Sequence, residues 1–275
     1  MFQHATRILW AAACLSAVTG PARAAFTWDP GAVGLAGSAF TADGFVLGDH
    51  ARIAFSGDGA AFTDTGYLPV LGFTLDGRVF TPAGFGAADG AGWGAYIAYA
   101  GAGTQDWLAP GIPGEARFER LSYEIVGHDG RTTFPFDAGG APVVGGAWSR
   151  AVTLAEGALV AGGLGFDPAA PAGPTIAGTV SATVSDVAPR LSEDVFTGVE
   201  VAFVHPPGDY AYTPGGALRI SDGVGHSRAT LLTAGDAPLP VAPSAKFAAA
   251  VPEPGAALLV GTGLLGLGGL RRRVR

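Results

Sequence analysis

Three features of the sequence predict an all-β fold, an antiparallel β-sandwich or jelly-roll-like domain spanning residues 25–235. Glycine and proline, at 45 and 20 residues, are too abundant for long helices, because glycine costs backbone entropy and proline breaks the hydrogen-bond ladder. Asp-Gly pairs recur at Asp43-Gly44, Asp58-Gly59, Asp76-Gly77, Asp89-Gly90, Asp129-Gly130 and Asp222-Gly223, and this pair suits the positive φ of a tight hairpin turn. Between the pairs, apolar residues recur with a period of two, as a strand with one buried face requires.

The runs justify the assignment one by one. Ile53 and Phe55 alternate with Arg52 and Ser56. Leu121, Tyr123 and Ile125 alternate with Arg120, Ser122 and Glu124. Val180, Ala182 and Val184 alternate with Thr179, Ser181, Thr183 and Ser185, and Val199, Val201 and Phe203 share a face opposite Glu200. Further strands are expected at Leu68–Leu75, Ala95–Tyr99, Arg131–Phe136, Ser149–Leu154, Ala158–Gly165, Ala217–Ile220 and Arg228–Thr233. About eleven strands without a convincing helix favour a sandwich or jelly roll over α/β architectures. No repeat of fixed period suggests a propeller or solenoid. Ala169–Pro174 is a proline-rich break, and residues 236–250 read as a Pro/Ala-rich linker, a semi-extended spacer.

Charge narrows the function classes. Ten basic residues between 25 and 250 face 22 acidic ones, so the body carries about −12. Such a surface repels nucleic acid, and no nucleic-acid partner is expected. Cys14 is the only cysteine and lies in the N-terminal apolar run, so the body can form no disulfide. Ala11-Ala12-Ala13 before it lack the leucine expected of a lipidation site, and the apolar run continues past it.

Both ends read as addresses. Residues 1–24 have the form of a signal peptide: a weakly basic start at His4 and Arg7, an apolar stretch from Ile8 to Val18, and small residues at Ala22 and Ala24 for signal peptidase. Cleavage is expected after Ala24. Eleven apolar residues make about 16 Å of helix, too short to span a bilayer. At the other end, residues 255–270 carry no charge and make about 24 Å as a transmembrane helix, weakened by five glycines between 261 and 269. Arg271, Arg272, Arg273 and Arg275 form a basic stop that stays cytoplasmic by the positive-inside rule. Gly261-Thr262-Gly263-Leu264-Leu265-Gly266 matches the dinucleotide pattern G-x-G-x-x-G, but the chain ends nine residues later without the strand, helix and acidic residue that motif needs.

Val251-Pro252-Glu253-Pro254, the apolar stretch and the terminal arginines together resemble the PEP-CTERM sorting signal over residues 251–275. The resemblance implies an exosortase-type membrane protease as partner, with Pro252, Glu253 and Pro254 as the sorting motif. It also implies transient holding in the inner membrane, then delivery to the cell surface or extracellular matrix of a Gram-negative bacterium that makes extracellular polysaccharide. The body is similar, more loosely, to the flocculation-associated PEP-CTERM proteins. Phe26-Thr27-Trp28-Asp29-Pro30, Asp43-Gly44-Phe45, Gly94–Tyr99 and Phe203–Tyr210 carry that likeness, and the absence of asparagine departs from it. What it implies is a role in floc or biofilm formation.

Evidence for chemistry in the body is sparse. His50, His128, His205 and His226 include no H-x-x-x-H pair, and there are no cysteine ligands. His128-Asp129 reads as a turn and His205-Pro206-Pro207 as a rigid loop. No serine sits in G-x-S-x-G. Glu193-Asp194 are neighbours that a strand would send to opposite faces, and Glu115, Glu119 and Glu124 read as solvent-facing, so no glycosidase pair emerges. No cofactor and no catalytic residue are expected. Structural calcium is compatible with the carboxylate count, although Asp58–Asp64 lacks an EF-hand pattern. Trp93, Tyr96, Tyr99 and Trp107 read first as core and second as a platform for sugar rings, so the alternative function is a secreted carbohydrate-binding module, ahead of a secreted hydrolase.

Overall fold

The computed structural model describes residues 25–57, 59–86, 91–106, 114–168, 173–188, 191, 196–213 and 216–233. The signal peptide, residues 236–250 and the sorting segment lie outside them, as do Trp107, Glu193 and Asp194. The described residues form twelve strands and one 3-10 turn. The strands are β1 (Phe26–Trp28), β2 (Phe40–Ala42), β3 (Gly44–Phe55), β4 (Ala61–Leu75), β5 (Arg78–Phe80), β6 (Trp93–Gln105), β7 (Gly114–Thr133), β8 (Gly145–Asp167), β9 (Thr175–Val187), β10 (Gly198–His205), β11 (Tyr210–Tyr212) and β12 (Leu218–Leu232). The 3-10 turn is Pro30–Val33. No helix of the described residues is long and apolar enough to cross a membrane.

The all-β, antiparallel expectation holds. Strands β3, β4, β6, β7, β8, β9, β10 and β12 pair in that order, each antiparallel to the next. Strand β12 then pairs with β3, from Leu218↔Ile53 to Thr230↔Gly44, so the sheet meets itself. The result is a closed, up-and-down barrel of eight strands, with β5 and β11 as short additions on β4 and β12. The main strands belong to one continuous sheet whose opposite walls pack face to face across a shared core, consistent with the sandwich-like all-β expectation. Both architectures use the same alternation, and only the non-local β12–β3 pairing separates them. Closure covers the edges of β3 and β12 and the Gly198–Ala202 half of β10.

Apolar residues fill the interior from two ends. Toward one end, Phe45, Leu47, Leu68, Phe73, Ile97, Ile125 and Val199 pack with the β1–β2 hairpin, whose Phe26 and Trp28 are almost fully buried. Toward the other, Ile53, Phe62, Phe118, Leu164, Phe166, Ile176 and Leu218 form a second cluster. The hairpin closes the first end: Trp28 packs edge-on to Phe45 at 5.4 Å and stacks on Phe196 at 5.5 Å. Asp129 Oδ1 accepts from the Ala36 N–H at 2.8 Å, and Arg150 donates to the Gly34 carbonyl at 2.9 Å, which ties the following turn to β7 and β8. Arginines and glutamates, among them Arg52, Arg117, Glu119, Glu124 and Glu156, take the outward positions. That polarity is opposite to a membrane barrel's.

Several local expectations change. Ser149–Leu154 and Ala158–Gly165 belong to one strand, β8, and Ala217–Ile220 and Arg228–Thr233 to another, β12. Leu68–Leu75 is the second half of β4. Arg131–Phe136 leaves the sheet after Thr133, and Phe134 and Phe136 fold over the outer wall beside His50. Asp76-Gly77, at φ 50° and 74°, makes the expected hairpin turn between β4 and β5. Asp129-Gly130 and Asp222-Gly223, however, lie at register shifts inside β7 and β12. A bulge accepts the same backbone freedom as a turn, so the pair marks either. Thr179 and Ser181, expected on a wet face, are buried in β9 between β8 and β10.

Candidate functional site

Charged residues sit in phase with the apolar face on several strands. On β3 the buried row runs Phe45, Leu47, Asp49, Ala51, Ile53; on β4 it includes Phe62, Asp64, Leu68 and Val70. β12 adds Asp222 after Leu218 and Ile220, and β10 ends at His205. Period-two alternation thus carries carboxylates and an imidazole into the barrel together with the core. His205 and Asp222 are fully buried, and Asp49 and Asp64 nearly so.

His205 Nε2 lies 3.2 Å from Asp49 Oδ2, near enough for an ionic contact but out of line for a hydrogen bond. Its Nδ1 and Asp49 Oδ1 also lack partners. Burial raises the Asp49 carboxyl above the ordinary range; His205 opposes the rise, and the Asp222 charge adds to it. Burial lifts Asp64 well above that range, with Asp49 adding to the rise, and Tyr99 opposes it by donating to Asp64 Oδ1 at 3.3 Å. Gly66 makes room for that tyrosine: a Cβ there would meet its ring and hydroxyl at 2.8 Å. Asp49, Asp64 and Tyr99 edge an otherwise apolar cavity of about 60 Å³, walled by residues such as Leu68, Ile97, Val201 and Phe203.

The barrel seam brings further polar groups to His205. β10 pairs with β12 only from Gly198↔Leu232 to Ala202↔Arg228, then continues along β9 to His205↔Ile176. Beyond the fork, β11 takes the place of β10 on β12, from Tyr210↔Ile220 to Tyr212↔Leu218. The turn that joins them carries Asp209, whose Oδ2 lies 2.7 Å from His226 Nδ1. Between Asp222 and Ser227, β12 bulges away from its register with β3. Asp222 accepts the amides of Val224 and Gly225 on Oδ1 and of His226 on Oδ2, at 2.8 to 3.0 Å. One ligand atom each of His205, Asp209 and Asp222 falls within 4.8 Å of the others. Three carboxylates and two imidazoles converge at this one seam.

The outer wall carries a second feature. Thr65, Tyr67, Ser122, Glu124, Pro142 and Glu156 line a groove of about 410 Å³ over β4, β6, β7 and β8. At its side Tyr67, Tyr96 and Phe134 pack with ring centroids 5.4 to 5.8 Å apart. Glu124 and Glu156 stand directly opposite across the β7–β8 ladder, and Thr153 donates to Glu124.

The residues singled out from sequence separate accordingly. Pro252, Glu253, Pro254, Ala22, Ala24, Arg271, Arg272, Arg273 and Arg275 lie outside the described residues. Trp93 is core, Tyr99 reaches the interior and Tyr96 lies on the outer wall. Glu115 and Glu119 are exposed. Burial lowers the pKa of His50 and of His128; His50, opposite Ser221 on the outer wall, feels the Asp49 and Asp222 charges, whereas His128 lies in β7 away from the seam. His128, expected in a turn, is buried within β7, and His205, expected in a loop, ends β10. Asp49, Asp64, Asp209 and Asp222 were not singled out as ligands or interior groups; a charged residue in phase with an apolar alternation was the available signal for the strand ones. No protein family, curated protein or solved structure matches the chain.

Proposed function

We propose that this is an exported, non-enzymatic structural protein of the cell surface or extracellular matrix. A PEP-CTERM-like tag sorts it there, where it aids floc or biofilm formation with extracellular polysaccharide. The observation that carries the reading is the ordered tag itself, Pro252-Glu253-Pro254, the uncharged stretch 255–270 and the terminal arginines. Two features of the body agree with it. The first strand starts at Phe26, two residues beyond the expected cleavage, so a mature chain beginning at Ala25 keeps every core residue among the described residues. The barrel interior is filled by side chains, which suits a durable module better than a large-ligand carrier. The signal peptidase and an exosortase-type protease are the implied partners. Deleting residues 251–275 should leave export intact, retain no protein at the surface and reduce aggregation of the cells. Unchanged surface retention and aggregation would overturn the reading.

The outer groove favours a second reading, a carbohydrate-binding module. Tyr67 offers an aromatic face, and Glu124, Glu156 and Ser122 offer polar partners for sugar hydroxyls. Glycan-array binding by the chain that is lost in Tyr67→Ala would support it, and an empty array would remove it.

A further inference from the structure

We propose that His205, Asp209 and Asp222, with His226 as a fourth ligand, bind one divalent transition-type cation, zinc being the reference ion, and that this ion pins the barrel seam. The inference does not rest on delivery to the surface.

Four observations converge on the site. His205 is wholly buried, yet Nδ1 has no partner and Nε2 has only the misaligned contact with Asp49. Leaving a buried imidazole unsatisfied costs stability unless something else engages it. Its ligand atom already lies within 4.8 Å of carboxylate oxygens from Asp209 and Asp222. His226 Nδ1 stands 2.7 Å from Asp209 Oδ2 and 3.5 Å from Asp222 Oδ1. Tetrahedral ligands at zinc bond lengths sit about 3.3 Å from one another, so the His205, Asp209 and Asp222 atoms would draw in from within 4.8 Å, and the His226–Asp209 pair would open from 2.7 Å, to enclose an ion. Asp222 is also oriented beforehand, because three bulge amides hold its carboxylate, the outer support that metal ligands ordinarily have.

Charge points the same way. Asp49, Asp209 and Asp222 surround the two imidazoles. Arg228, the nearby cation, donates to the Gly225 and Ser227 carbonyls. Arg228 also feels the Asp222 charge, and with both imidazoles neutral, as metal ligands must be, the three carboxylates outnumber it, a surplus that a dication would balance. Two imidazoles with carboxylates suit zinc and its neighbours, whereas calcium and magnesium favour all-oxygen shells. Entry is from outside, since the His226 side chain is 40% exposed. The location supplies a purpose. Backbone pairing between β10 and β12 stops at Ala202↔Arg228, and a metal bridge from β10 through the 206–209 turn to β12 would replace it.

The test uses the purified full chain, stripped with a chelator and titrated with Zn²⁺ by calorimetry in excess Ca²⁺ and Mg²⁺. Bound metal is counted by elemental mass spectrometry. One zinc per chain and a higher melting temperature are expected. Asp209→Asn and His205→Gln should each weaken zinc at least about 100-fold, and the outer His226→Gln about 10-fold. Circular dichroism checks that each variant folds. Should buried His205→Gln fail to fold, the partly exposed Asp209→Asn decides alone. No bound zinc, zinc affinity unchanged in Asp209→Asn, or displacement of zinc by calcium would each overturn the proposal.

Discussion

Replacing Trp28 with alanine should uncouple the N-terminal hairpin from the barrel end it closes. The indole is almost fully buried and packs against Phe45, Phe73 and Phe196 at 5.4 to 6.5 Å. A side chain of this kind hides on the order of 200 Å², which at about 25 cal/mol per Å² is roughly 5 kcal/mol as an upper bound. Large-to-small changes in cores cost about 3–5 kcal/mol. One effect works against the loss: Trp28 Nε1 has no hydrogen-bond partner, and removing a buried unpaired donor returns about 1–3 kcal/mol. The net expectation is a loss of about 3 kcal/mol. For a body of this size that lowers the melting temperature by roughly 6–12 °C. Trp28→Phe keeps a ring and discards the unpaired N–H, so it should cost less than about 1.5 kcal/mol. Urea unfolding followed by far-ultraviolet circular dichroism measures both without relying on tryptophan emission. A loss below about 1 kcal/mol for Trp28→Ala, or equal losses for the two variants, would refute the hairpin as part of the core.

Other expectations follow from single features. Burial holds the Asp64 carboxyl well above its ordinary range, so above about pH 4 the folded chain keeps a proton that the unfolded chain has released. Stability then falls as pH rises from about 4 toward neutrality, and Asp64→Asn should raise the melting temperature at pH 7 and flatten that dependence; parallel pH profiles would contradict this. Gly66→Ala should cost about 1–3 kcal/mol, because the new methyl meets Tyr99 and the Ala51 side chain at 2.8 Å; unchanged denaturation would show that the interior yields there. Gly77→Ala meets no atom within 4 Å but must adopt φ 74°, so about 1–2 kcal/mol of backbone strain is expected from thermal unfolding, and no loss would mean the turn changes type.

Alternation made most of the sheet legible. The phases at Leu121–Ile125 and Val199–Phe203 predict strands that exist, because one-sided burial stamps a period of two on any half-wet strand. Closure was not legible, since pairing of β12 with β3 joins residues far apart and leaves no local mark. Strand length was also hidden: β8 runs for 23 residues through Gly157, Gly162, Gly163 and Gly165, which read locally as breaks. In a closed barrel such glycines relieve crowding; a Cβ at Gly157 would lie 1.8 Å from the Thr183 carbonyl. The seam cluster was partly legible. Asp49 and Asp222 sit in phase with apolar neighbours, an anomaly visible in the sequence. Bringing Asp209 and His226 to His205 needed the β10–β12 fork and the bulge at 222–227, both products of tertiary pairing.

The central claim is that a sorting tag delivers the barrel and is then removed. Prolines disfavour helix, which is the physical reason for expecting cleavage at Pro252-Glu253-Pro254, where Glu253 is the only charge. Mass spectrometry of the protein released from the cell surface tests the claim most directly. The account predicts a chain that begins at Ala25 and lacks Gly255–Arg275. Recovery of the intact C-terminal peptide from matrix-bound protein would contradict it.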